Sequence, residues 1–403
     1  MVDRKLPRMY TRALLDHLNE HRQMAFVAGP RQVGKTTVCR ALASEGGYLN
    51  WDDLDHRRIV LAGPKAVANH VGLDRLGRER PTVVFDELHR YGKWKQLLKG
   101  FFDTYETRVR IVVTGSSRLD VYRRGGDSLM GRYFLYHIHP LSVGELVDPE
   151  PPTSEIRPPR RLPERRFENL CVHGGYPEPL VRADPRFTRR WRALRLQQLV
   201  REDVRDLTRI QELALLEILA HILAERSGSQ LSFTHLAQEL KTSVDTVRRW
   251  IELLIRLHHG FVVRPWSKAI ARSLRKEPKW YVSDWGSVED PGARAETMIA
   301  AHLLKSVQAW NDLGLGRFEL YYLRDKQKRE VDFLVVRDRK PWFMVEAKRS
   351  DPDLSPHLDY FQRQTGALHA FQAVTDLPYV DADCFSRKDP CVVPARTLLS
   401  QLI

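Results

Sequence analysis

An α/β architecture is predicted for both ends of this 403-residue chain, with a helical stretch between them. Three observations carry that prediction. The runs MAFVA (24–28), TVVFD (82–86) and RIVVTG (110–115) are short, apolar and β-branched, as fully buried parallel strands are, and helical segments separate them. From 167 to about 225, apolar residues recur at three- and four-residue spacing, the helical period. Past 287, the helical segment ARAETMIAAHLLKSV precedes two apolar runs inside REVDFLVVRDRKPWFMVEAKRS (329–350).

Taken in order, residues 1–148 read as a first α/β domain on a parallel sheet. Residues 149–166 fall in DPEPPTSEIRPPRRLPERR, where proline excludes regular helix or strand, so they read as a linker or an extended crossing segment. Residues 167–225 read as a helical region, 226–286 as helix, turn, helix and strand, and 287–403 as a second α/β domain. A chain of this length exceeds one ordinary core, in line with several domains.

Lys and Arg number 65 against 51 Asp and Glu, for a net charge of +14 and a pI near 9.7. Such a balance suits a polyanionic partner, most commonly nucleic acid. The four cysteines, Cys39, Cys171, Cys384 and Cys391, have no CxxC spacing, which argues against a disulfide framework or a zinc site and for a reducing compartment. The charged opening MVDRKLPRMYTRALLDHL has no apolar signal region, and no run is long enough to span a bilayer; a cytoplasmic protein is expected.

GPRQVGKTT (29–37) fits G-x-x-x-x-G-K-[ST], and its context is right: a buried strand enters it and a helical segment leaves it. Residues Gly29, Pro30, Arg31, Gln32, Val33, Gly34, Lys35, Thr36 and Thr37 are the expected nucleotide-binding loop. Glycines let backbone N–H groups approach phosphates, Lys35 reaches the β/γ oxygens, and Thr36 binds Mg²⁺. In TVVFDEL, Asp86 is placed to hold Mg²⁺ through water and Glu87 to orient and polarise the attacking water, which points to hydrolysis. Thr114 or Ser116, after the third strand, would face the γ-phosphate. Among Arg118, Arg123, Arg124 and Arg132, one would serve as an arginine finger on a neighbour's nucleotide, and Arg132 is the preferred candidate.

With these residues, the segments VVFDELHRYGKWKQLLKGFFD, VVTGSSRLDVYRRGGDSLMGRYFLYHIHPLSVGEL and GGYPEPLV resemble the AAA+-related P-loop ATPases widespread in bacteria and archaea. The resemblance runs along nearly the whole chain. It implies a five-stranded parallel ATPase core, ATP with Mg²⁺, ring or multimer formation, and then helical, winged-helix and nuclease-like regions.

In FTHLAQELKTSVDTVRRWIELLIRLH, Leu236, Ala237, Leu240, Val247, Ile251 and Leu254 make one apolar seam across two helices, with Ser243 the expected N-cap of the second. Thr246, Arg248 and Arg249 lie where a recognition helix meets DNA. The stretch after it can form a hairpin whose tip carries Lys268, Arg272, Arg275 and Lys276, a basic wing for phosphates. The alternative is a structural lid or a protein-contact module.

At the far end, Asp332 opens one strand, and period-two alternation sets Glu346 and Lys348 on one face of the next. Glu296, on the preceding helix, adds a third carboxylate. The order E…D…E-x-K resembles the PD-(D/E)XK nuclease superfamily, with EVD in place of PD. The resemblance implies a restriction-endonuclease-like domain holding Mg²⁺ or Mn²⁺ on Glu296, Asp332 and Glu346, with Lys348 catalytic and Gln362 or Gln364 in support. Such a domain either cuts nucleic acid or only grips it. The leading expectation is an ATP-hydrolysing DNA-processing protein; the alternative is a nucleotide-controlled signalling or scaffold ATPase whose C-terminal domains hold protein partners.

Overall fold

A computed structural model of the chain describes residues 6–74, 80–115, 129–199, 213–267 and 277–403. The chain divides into two compact units: Met1–His139 with Pro149–Pro151, and Pro140–Asp148 with Pro152–Ile403.

The first unit is built on five parallel strands, β1 (Met24–Ala28), β2 (Tyr48–Asn50), β3 (Thr82–Asp86), β4 (Arg110–Thr114) and β5 (Tyr133–His137), in the order β2-β3-β4-β1-β5. Every residue of β1 and β3 is buried, which is why both read as continuous apolar runs. The helix Trp94–Tyr105 buries Trp94, Leu97, Leu98, Phe101 and Phe102, a one-sided stripe that packs with Phe26, Phe85 and Val113. Each fully buried aromatic or aliphatic side chain of this kind contributes roughly 1.5–3 kcal/mol. The edge strands β2 and β5 are only partly buried.

The second unit holds a seven-stranded mixed sheet, β6 (Gly260–Pro265), β7 (Lys279–Val282), β8 (Phe318–Arg324), β9 (Glu330–Arg337), β10 (Lys340–Lys348), β11 (His369–Val374) and β12 (Cys391–Pro394), in the order β12-β11-β10-β9-β8-β6-β7. The expected helix pair is Phe233–Glu239 and Val244–Arg256, and Ser243 caps the second by accepting from the Thr246 N–H at 3.1 Å. All six seam residues are buried in one cluster with Leu216, Leu219 and Trp280. The two strands after the pair are not a free-standing wing. β6 and β7 pair antiparallel, and β6 also runs parallel to β8 at Arg264–Tyr321 and Pro265–Tyr322, so the hairpin extends the C-terminal sheet.

The 22-residue helix Pro291–Asp312 starts at Asp290, whose carboxylate accepts from the Ala293 N–H at 2.7 Å, with Pro291 in the first turn. It buries Met298, Ile299, Leu303 and Trp310. Among the described residues, no helix is long and apolar enough to cross a membrane.

Candidate functional site

The C-terminal ends of β1, β3 and β4 share one edge of the first sheet, so the chain segments leaving them are brought together. Gly29 leaves β1 at φ +149°, and a Cβ there would strike the Ile138 carbonyl; Gly34, at φ +99°, turns the loop into the helix Lys35–Arg40. The loop is braced from outside by Arg8, whose guanidinium donates to the Val33 carbonyl at 2.5 Å and to the His139 carbonyl at 2.6 Å. Gln32 also has a positive φ, +61°, an uncommon conformation for a residue with a side chain.

Lys35 is buried, and its ammonium donates to the Gly29 and Pro30 carbonyls, each at 2.8 Å. Burial lowers its pKa, opposed by the charges of Glu87 and Asp86. Asp86, 3% exposed at the end of β3, gathers three hydroxyls. The Thr36 hydroxyl donates to Oδ2 at 3.0 Å, the Tyr48 hydroxyl to the same oxygen, and the Thr114 hydroxyl to Oδ1. Three elements, the helix after the loop, β2 and β4, thus converge on one carboxylate at the end of β3.

Glu87 follows at φ +56°, where β3 gives way to a short 3₁₀ turn, Leu88–Arg90. Its carboxylate lies 3.6 Å from His89 Nε2 and 3.9 Å from Arg90 Nε. Burial raises its pKa above the usual range, with Lys35 pulling the other way. A carboxylate shifted this way is a stronger proton acceptor than an exposed one. Side by side, the Thr36 hydroxyl and the Asp86 carboxylate, with a buried ammonium and a positive-φ glycine loop, form a donor set that fits Mg²⁺ with a nucleoside triphosphate.

Arg132, expected to act on a neighbour's nucleotide, lies away from this chain's own loop. It precedes β5 at the opposite end of the sheet, where its carbonyl accepts from the Met24 N–H, and its guanidinium grips Asp103 through two bonds at 2.6 and 3.0 Å. Ser116, Arg118, Arg123 and Arg124 lie outside the described residues. Arg8 and Tyr48 escaped the sequence reading; neither belongs to a motif, and only the fold carries them to the site.

Within the second unit, Arg248 and Arg249 are exposed on the second helix of the pair. Arg248 stacks 5.0 Å above the Phe233 ring, and Arg249 donates to the Thr246 hydroxyl at 3.2 Å. Lys268, Arg272, Arg275 and Lys276 lie outside the described residues.

Helix Pro291–Asp312, β9 and β10 bring Glu296, Asp332, Glu346 and Lys348 into one region, but with an occupant the sequence did not disclose. Lys279, 4% exposed on β7, donates to Glu296 Oε1 at 3.1 Å, Glu330 Oε1 at 2.6 Å and Asp332 Oδ1 at 3.0 Å. The Tyr281 hydroxyl donates to Glu296 Oε1 at 2.7 Å, and the Ala347 N–H to Asp332 Oδ2 at 3.0 Å. Lys348 pairs with Glu346 Oε1 at 3.0 Å. Burial, then the charge of Asp332, pushes Glu296 and Glu346 each up to about 7.

The three carboxylates expected to hold a metal, Glu296, Asp332 and Glu346, thus pair with lysines, and among the described residues no group of three or more His, Cys, Asp or Glu is arranged to hold a metal ion. Gln362 donates to the Ala367 and Lys388 carbonyls, at 3.1 and 2.7 Å, and Gln364 is exposed.

Several known proteins are similar. An uncharacterised protein of Mycobacterium tuberculosis is 24% identical over 345 residues, 82% of this chain and 72% of that protein, and one of Mycobacterium bovis matches equally. Among solved structures, a Walker-type ATPase of Pyrococcus abyssi is 16% identical, covering 74% of this chain and 97% of its own, with a TM-score of 0.43. AMPPCP-bound DnaA from Aquifex aeolicus is 13% identical, over 62% and 88% of the two chains, with a TM-score of 0.32. Residues 164–289 and 291–378 match models of two domains of unknown function, DUF8612 and DUF4143. Residues 21–147, most of the first unit with its parallel sheet and converging strand ends, match the model of an AAA domain.

Proposed function

We propose that this chain binds and hydrolyses ATP and couples that cycle to non-sequence-specific or structure-specific binding of DNA. The observation that carries the ATPase half is the convergence of Thr36, Thr114 and Tyr48 on Asp86, with Lys35 and Glu87 beside it. Residues 29–37 cradle the phosphates through backbone N–H groups, and Lys35 exchanges its carbonyl partners for phosphate oxygens. Thr36 and Asp86 hold Mg²⁺, which neutralises phosphate charge when bound. Glu87 accepts the proton of the attacking water, and its raised pKa keeps it a competent base. Thr114, tied to Asp86, is placed to respond to the γ-phosphate.

The DNA half rests on the net charge of +14 and on the exposed Arg248 and Arg249 at the start of the second helix of the pair. Assembly into a homo-oligomer accompanies this reading, as it does for AAA-type ATPases. Cleavage is left out of it: Lys279 bonds Glu296 and Asp332, and Lys348 bonds Glu346.

The test is ATP turnover by the purified protein with and without duplex, single-stranded and branched DNA, across a salt series. Stimulation that fades with salt supports the proposal. A rate and an oligomeric state indifferent to every DNA would transfer the C-terminal regions to a protein partner, the scaffold reading.

A further inference from the structure

We propose that Lys279 is the resident cation of the Glu296–Glu330–Asp332 cluster, so that this site is an ammonium-locked joint between β7, β9 and the helix Pro291–Asp312 and not a divalent-metal centre. An ammonium has three N–H donors and no acceptor. All three are spent, on Glu296 Oε1, Glu330 Oε1 and Asp332 Oδ1, within 3.1 Å. The lysine is held from several sides. Its backbone pairs with Val263 across the hairpin and with Gln230 in an isolated bridge, and its ammonium lies 5.8 Å from the Tyr322 ring centre.

The carboxylates that face Lys279 each have a further partner. Asp332 gives one oxygen to Lys279 and the other to the Ala347 N–H, and Glu296 Oε1 also accepts from Tyr281. Glu330 Oε2 is bound by Arg324 at 2.6 Å. A divalent ion at Asp332 would meet the ammonium on the same oxygen, a like-charge contact in a buried site. Glu346 Oε2 is buried without a hydrogen-bond partner among the described residues, but one oxygen is not a chelating set. Buried charges persist only when paired, and here the pairing is internal to the protein. The lock also ties the hairpin to the C-terminal sheet: Lys279 on β7 is joined to Glu330 and Asp332 on β9, across β6 and β8.

Neither ATP turnover nor DNA binding enters the test. The full-length protein, free of nucleotide, is titrated with Mn²⁺, and free Mn²⁺ is followed by electron paramagnetic resonance. Wild type is expected to show no site that disappears in Asp332→Asn or Glu296→Gln. Lys279→Met is expected to gain one Mn²⁺ site, lost again in Lys279→Met/Asp332→Asn. A wild-type site removed by either carboxylate substitution overturns the proposal, as does a folded Lys279→Met that gains none. Should Lys279→Met fail to fold, thermal melting of the wild type decides: a Mn²⁺-induced rise in Tm that Asp332→Asn abolishes overturns the lock, and its absence upholds it.

Discussion

Replacing Lys305 by methionine tests how the second unit holds its buried charge. Lys305 and Glu145 are each 1% exposed, the ammonium meets Glu145 Oε2 at 2.5 Å, and it also donates to the Pro140 carbonyl at 3.1 Å. Lys305→Met keeps most of the volume but takes the ammonium away from the buried Glu145 carboxylate. Stranding one partner of a buried pair costs about 3–5 kcal/mol. The freed Pro140 carbonyl adds roughly 1 kcal/mol or more. Lys305→Met/Glu145→Met removes both charges and is expected to recover at least half of the loss. The assay is urea unfolding by tryptophan emission in a Trp51→Phe/Trp94→Phe background, where all remaining tryptophans lie in the second unit. The loss should also shrink as pH falls. Without its lysine, buried Glu145 binds its proton more tightly folded than unfolded, so the variant loses stability as pH rises through the carboxylate range. A single-variant cost under about 1 kcal/mol, or a double variant no better than the single, would refute the reasoning.

Lys35→Ala is expected to abolish ATP binding in an equilibrium titration, and unchanged affinity would dismiss the assignment of the loop. Glu87→Gln should still bind ATP but lose turnover by about 10²- to 10⁴-fold, the usual contribution of a general base; normal hydrolysis would place that role elsewhere. His302 is buried, with Nε2 accepting from the Val143 N–H at 3.0 Å and Nδ1 donating to the Met298 carbonyl at 2.7 Å, and burial lowers its pKa to about 3. Its contribution is present above the unfolded value and is lost as pH falls, by about 2 kcal/mol between pH 6.5 and 5. His302→Gln should flatten that part of the stability profile, and an unchanged slope would contradict it. Arg248→Glu/Arg249→Glu should weaken DNA binding and reduce the log–log salt slope by roughly 2, for two lost phosphate contacts; an identical slope would clear this helix of DNA contact.

Local signals were enough for the phosphate loop, since GPRQVGKTT, TVVFDEL and RIVVTG each carry their structure in a few neighbouring residues. A buried parallel strand needs an apolar run, a tight loop needs glycine, and both are visible in one dimension. The apolar seam and the Ser243 cap of the helix pair were legible for the same reason. Edge strand β2 was not, because its three residues leave too short a signal. Tertiary structure alone decided what faces each charge. Tyr48 reaches Asp86 because β2 pairs with β3, and Arg132 is kept from the loop because it sits at the other end of the sheet. Glu296, Asp332, Glu346 and Lys348 were all found in the sequence, yet their chemistry turned on Lys279, a lysine in the short run KWYV with no motif around it. Its partners on β9 lie more than 50 positions away, joined to it only by the order of strands in the sheet. Sequence spacing encodes which residues share a face. It does not encode which strand lies beside that face, and this neighbour fixes whether carboxylates close on a metal or on an ammonium.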